Sequence, residues 1–100
     1  MEKKEKLNLN QEILTIDGKP IPYNQLGNLT LKIAIKTAIL NAEMDKKTPE
    51  QKYDAYKMAM KVESENIDFK KEEWVTIKHA IGVVYYPEIV GFIWDAIEKI

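Results

Sequence analysis

The chain has 100 residues, 45% hydrophobic and 31% charged, with 15 basic and 16 acidic side chains and a formal net charge of −1. That length supports one domain with a modest core. The charge balance creates no strong field for nucleic acid or anionic lipid, so both are expected to be poor partners.

Every basic residue is lysine. Arginine is the usual bidentate reader of phosphate and guanine, so its absence argues against sequence-specific DNA recognition. Lysine-only usage with many Ile and Asn also fits an AT-rich genome. Cysteine is absent, which removes disulfides, thiolate nucleophiles and thiolate-held metals. The Lys-rich start is not followed by an apolar segment of signal-peptide type. The nearly uncharged run from His79 to Trp94 contains Pro87 and Glu88. It falls short of the ~20 apolar residues of a spanning helix. No membrane association is expected, and a cytoplasmic location is.

Residues 1–6 (MEKKEK) have nothing to bury and read as a disordered tail; residues 7–100 read as one domain. Leu7 to Ile16 alternates imperfectly and predicts a strand. Asp17-Gly18 is a turn signal. Ile21 and Tyr23 then form a short return strand, held to an edge by Pro20 and Pro22. Asn24 to Asn28 reads as a loop.

Thr30 is a candidate N-cap for a first helix, Leu31 to Met44. Leu31, Ile35, Ala38, Ile39 and Ala42 form one apolar stripe. Ile33, Leu40 and Met44 form a second on nearly the opposite side. Such a helix is either central and covered on both sides, or offers one stripe to a partner or a second copy. Thr48-Pro49-Glu50-Gln51 carries a capping-box pattern with proline at the first helical position. The helix it opens runs to about Ser64. Tyr53, Tyr56, Ala59 and Met60 share a face, and Met58 falls among polar residues and should be exposed.

Ile67 and Phe69 sit in an extended link. A third helix, Lys71 to Tyr85, lines Trp74, Ile77, Ala80, Ile81 and Val84 along its main face. Val75, His79, Gly82 and Tyr86 form a weaker second side. Gly82 costs about 1 kcal/mol relative to alanine and suggests a close backbone approach. Pro87 ends that helix and starts a fourth, Pro87 to Lys99. Its stripe is Ile89, Ile93, Ala96, Ile97 and Ile100, flanked by Val90 and Trp94. Phe92 falls on the wet face beside Glu88 and Lys99.

Motifs for chemistry are missing. The only serine, Ser64, and the only histidine, His79, have no third group to complete a nucleophilic site; His79 reads as a half-buried helix residue. Glu63 and Glu65 diverge, as do Glu72 and Glu73, and the latter two suit a helix's first turn. The glycines stand singly at 18, 27, 82 and 91, so no phosphate loop is spelled. Lys32 with Lys36, and Lys57 with Lys61, are small clusters opposed by acids. No catalytic residue, cofactor or metal is expected.

The ordering of segments resembles small proteins of unknown function encoded by tailed phages and prophages. The residues that carry the likeness are Ile16-Asp17-Gly18-Lys19-Pro20-Ile21, then Leu29-Thr30-Leu31. The run Trp74 to Gly82 follows, with Tyr85, Pro87, Val90 and Gly91 after it. Lack of arginine, and Phe92 and Trp94 in the last helix, depart from the pattern. The resemblance implies a mobile-element accessory protein and no catalytic residues.

The expected fold is α+β, an N-terminal β-hairpin packed on a bundle of three to four short helices. The expected function is non-enzymatic protein binding, as an inhibitor of a host or defence protein or as an assembly factor. The alternative is a nucleic-acid-associated regulator of the same element. The candidate interface is Phe92, Trp94, Gly82, Tyr86, Val75, Ile33, Leu40, Met44 and Met58, facing a protein partner or a second copy.

Overall fold

The computed structural model describes residues 7–25 and 27–99. The tail at 1–6, Leu26 of the expected loop and Ile100 of the expected fourth-helix stripe lie outside them. The architecture is α+β: a small antiparallel hairpin followed by four α-helices. Strand β1 (Pro22–Asn24) pairs with β2 (Gly27–Asn28). Helices α1 (Leu31–Asn41), α2 (Pro49–Glu63), α3 (Lys71–Val84) and α4 (Pro87–Glu98) follow, with a short 3-10 turn at Met44–Lys46.

The hairpin is shifted from its expected place. The Asp17-Gly18 turn forms, with Gly18 at φ 81°, a left-handed angle that glycine adopts without cost. Its amide donates to Thr15 O at 2.8 Å, and Thr15 N donates to Lys19 O at 2.8 Å. Leu7 to Ile16, however, is not a continuous strand. It makes only single bridges, Glu12 to Thr30 and Leu14 to Pro20. The expected loop at 24–28 supplies β2 instead. Proline at 20 and 22 offers no donor for a ladder with the first arm. Two of that arm's carbonyls are also taken elsewhere, by the start of α1.

That start is fully partnered. The first amides of a helix have no intrahelical acceptor. Here Leu31 N donates to Gln11 O at 2.9 Å and Lys32 N to Leu9 O at 2.8 Å. Ile33 N donates to Thr30 Oγ1 at 3.3 Å, so Thr30 caps as expected. The N-terminal arm is thereby tied to the helix it precedes, and Leu9 and Ile13 enter the core.

α1 is shorter than expected and has one buried face, not two. Leu31, Ala34, Ile35, Ala38 and Ile39 are buried, with Ala42 just beyond the helix. Leu40 of the second stripe is 42% exposed, and Ile33 and Met44 are half-buried. The helix ends where Ala42 turns extended at ψ 120°, and Glu43 after it is left-handed at φ 49°. No glycine or proline marks that stop in the sequence.

α2 and α3 both lie against α1. The capping box of α2 forms: Gln51 N donates to Thr48 Oγ1 at 3.1 Å and Thr48 N to Gln51 Oε1 at 3.0 Å. The helix ends in a left-handed Glu65 (φ 61°), with Asn66 N reaching Lys61 O at 2.8 Å and Glu65 N reaching Val62 O at 2.9 Å. Its core face differs from expectation: Ala55, Ala59 and Val62 are buried and Met58 is half-buried against the core. Tyr53 (60%), Tyr56 (54%) and Met60 (48%) stay exposed.

α3 buries Ile77, Ala80 and Ile81, with Trp74 and Val84 beside them. Phe69 of the link is buried and packs edge-on against Trp74, centroids 5.1 Å apart. Tyr85 O–H donates to Ala34 O at 2.7 Å, a long-range tie between the end of α3 and α1. Burial pushes the Tyr85 phenol up to about 12, from an ordinary 10.0. α4 folds back on α3 across Tyr86-Pro87 and buries Ile89, Ile93 and Ile97.

Two outcomes follow. Ile35→Ala should destabilise by roughly 2–5 kcal/mol, and Leu40→Ala by about 0.5 kcal/mol or less; urea denaturation of the two variants checks the single-faced reading of α1. A phenol whose pKa is higher in the folded state favours folding below its unfolded pKa and loses that contribution as pH rises through the folded one. Stability should therefore fall between about pH 10 and 12 more steeply in the wild type than in Tyr85→Phe, measured by chemical denaturation at each pH.

Candidate interaction surface

Among the described residues no polar or charged side chain is buried, and no three His, Asp or Glu stand close enough to hold a metal ion. Two concavities and two exposed apolar strips are among the surface features of the described residues. The larger concavity, about 720 Å³, lies between the end of α1, α2 and α3. Its floor includes Ile39, Ala55, Met58 and Ile77, and Lys46, Lys47, Lys57 and Lys61 stand on its rim.

Each of those lysines is engaged. Lys46 lies 3.6 Å from Glu43 and Lys57 3.7 Å from Asp54. Lys47 Nζ donates to Ala42 O at 2.9 Å, and Lys61 Nζ to Asp68 O at 2.5 Å while lying over the Phe69 ring. The groove offers no run of unpaired positive charge to a phosphate backbone.

His79 stands between the two concavities and lines both. Its Nε2 lies 2.8 Å from Glu43 Oε1 and its side chain is exposed, not half-buried as expected. The hydrogen bond from His79, aided by the charges of His79 and Lys46, holds the Glu43 carboxyl below its usual range. Glu63 and Glu65, expected to diverge, both reach Lys32, at 3.8 and 3.5 Å. The left-handed Glu65 swings its side chain back to that lysine. Glu63 also meets Lys36 at 2.5 Å, and this contact lowers its pKa. Tied to lysines on the surface, neither carboxylate is placed as a general base.

The smaller concavity, about 510 Å³, lies between α3 and α4 and is lined by Val75, Lys78, His79, Gly82, Val83 and Trp94. Trp94 is fixed there: its indole N–H donates to Lys78 O at 3.2 Å and Lys78 Nζ lies 4.6 Å above its ring. Lys78 also pairs with Glu98 across the two helices. Val75 and Val83 are exposed, as is Tyr86 beyond the end of α3.

Of the nine expected interface residues, the fold brings Val75, Gly82 and Trp94 together on this surface. Tyr86 is exposed at the N-cap of α4 but does not line the cavity. Phe92 is a correction: it is half-buried and packs against the core. Glu88, one turn earlier, accepts from Ile16 N at 2.6 Å, so the N-terminal arm runs beside the flank that an isolated wheel leaves wet. Met58 is likewise half-buried, at the floor of the larger groove. Ile33, Leu40 and Met44 lie on α1 and the turn after it and do not line the α3–α4 concavity.

Val83 was missed, although its spacing of four from His79 and eight from Val75 places all three on one helix face. The Tyr53–Tyr56–Met60 strip was also missed, because its spacing imitates a core face. Gly82 does not admit a neighbouring backbone: a Cβ there would meet only Trp94, at an ordinary 3.8 Å. No protein-family model, curated protein or solved structure matches the chain. No helix among the described residues is long and apolar enough to cross a membrane.

Gly82→Ala should therefore stabilise the fold by up to about 1 kcal/mol, through helix propensity alone. Thermal and urea unfolding of the variant check this; a destabilised Gly82→Ala would mean that the α3–α4 contact is tighter than 3.8 Å implies.

Proposed function

We propose that the chain is a non-enzymatic protein-binding module, an accessory protein of a phage or other mobile element. It acts as an inhibitor or assembly factor through its α3–α4 surface. The observation that carries this reading is the grouping of Val75, Val83 and Trp94 around a concavity, exposed, on two helices that pack together. Scattered exposed apolar residues need no explanation, but a grouped set with a polar rim is the usual form of a contact site. An aromatic ring already held by its neighbours loses little rotamer freedom on binding. Lys78, His79 and the carboxylates nearby supply the rim.

The reading is tested by affinity capture from bacterial lysate with the wild type, Val75→Glu, Val83→Glu and Tyr56→Glu. A specifically retained protein should bind both valine variants at least ten-fold more weakly and bind Tyr56→Glu unchanged. No specific capture, or capture indifferent to Val75 and Val83, overturns it.

A further inference from the structure

The outer face of α2 carries a strip with no partner in the fold. Tyr53, Tyr56 and Met60 recur at helical spacing and point away from the buried Ala55, Ala59 and Val62. The two tyrosine rings stack, 15° from parallel with centroids 6.3 Å apart, so the strip is preformed. Lys52 and Glu63 lie eleven residues apart, about three helical turns, and share one flank of it.

We propose that this strip is the contact between two copies of the chain, with α2 packed antiparallel on α2 of the second copy about a two-fold axis between Lys57 and Met58. A two-fold contact must complement itself, and this register does so in both shape and charge. It sets Tyr53 about 3 Å along the axis from Met60 of the second copy, and Tyr56 about 4.5 Å from its own counterpart, at ~1.5 Å rise per residue. The same flank of each helix meets in such a pair, so Lys52 falls level with Glu63 of the second copy.

The Lys52 side chain makes no hydrogen bond or ion pair with another described residue; Glu63 pairs with Lys36 at 2.5 Å and Lys32 at 3.8 Å, and the exposed Lys52 of the second copy would join that cluster. Lys57 falls near the axis, where it would face its own counterpart. It lies over its own Tyr53 ring at 4.8 Å and 3.7 Å from Asp54, whose carboxylate offsets its charge. One helix per copy is a small interface, so the dimer is weak and dissociates at micromolar concentration.

Sedimentation equilibrium of the full chain over a hundred-fold concentration range tests this. The wild type should show a monomer–dimer equilibrium. Tyr56→Glu sets two carboxylates across the axis and should raise Kd at least ten-fold. Lys52→Glu should raise it several-fold at low salt and less at high salt. Both positions are exposed, and unchanged circular dichroism confirms that the variants fold. The chain has no cysteine, so a single Tyr56→Cys should crosslink on oxidation while Val83→Cys should not. A wild type that is monomeric throughout, or a dimer unaffected by Tyr56→Glu or lost in Val83→Glu, overturns the assignment. A dimer indifferent to Lys52→Glu overturns the register.

Discussion

The buried face of α1 is the constraint on which the other elements depend. Leu31, Ala34, Ile35, Ala38, Ile39 and Ala42 form a stripe in which large and small side chains alternate, and α2 and α3 both come to rest against it. The alanines leave room for close approach, and the isoleucines fill the space between. α2 answers with Ala55, Ala59 and Val62, and α3 with Ile77, Ala80 and Ile81. Tyr85 adds a directional tie, because its hydroxyl must reach Ala34 O to be buried without loss.

The same constraint explains the N-terminal segment. The first amides of α1 lie against the backbone of this arm, where the carbonyls of Leu9 and Gln11 meet them. The arm is held as a lid over the start of α1 and touches α4 through Ile16 and Glu88. Its hairpin is correspondingly short, since those carbonyls are not available to a longer ladder. Apolar side chains that the other elements leave exposed include Val75 and Val83 at the α3–α4 concavity and the outer strip of α2.

Much of this was readable in the residues. The turn at Asp17-Gly18, the Thr30 cap, the Thr48 capping box and the break at Tyr86-Pro87 all formed, because each is set by neighbours within a few positions. The main faces of α1, α3 and α4 followed from helical spacing for the same reason. Local chemistry failed at the stop of α1, where Glu43 adopts a left-handed angle that favours glycine, and its side chain reaches His79 on another helix. It failed again at β2, which lies where a loop was expected.

Spacing and capping residues therefore determined the helices, the α+β class and most of the core, since those depend on contacts a few residues apart. Only the tertiary structure decided which of two eligible faces each helix buries. On α2 the choice fell on Ala55, Ala59 and Val62 over Tyr53 and Tyr56. On α4 Phe92 is half-buried against the core, and Glu88 one turn earlier accepts from Ile16 N of the distant arm. On α1 it left Leu40 42% exposed while Ile33 of the same stripe packs against the core. Hydrophobicity ranks faces for burial, but the volume offered by the neighbouring element selects among them.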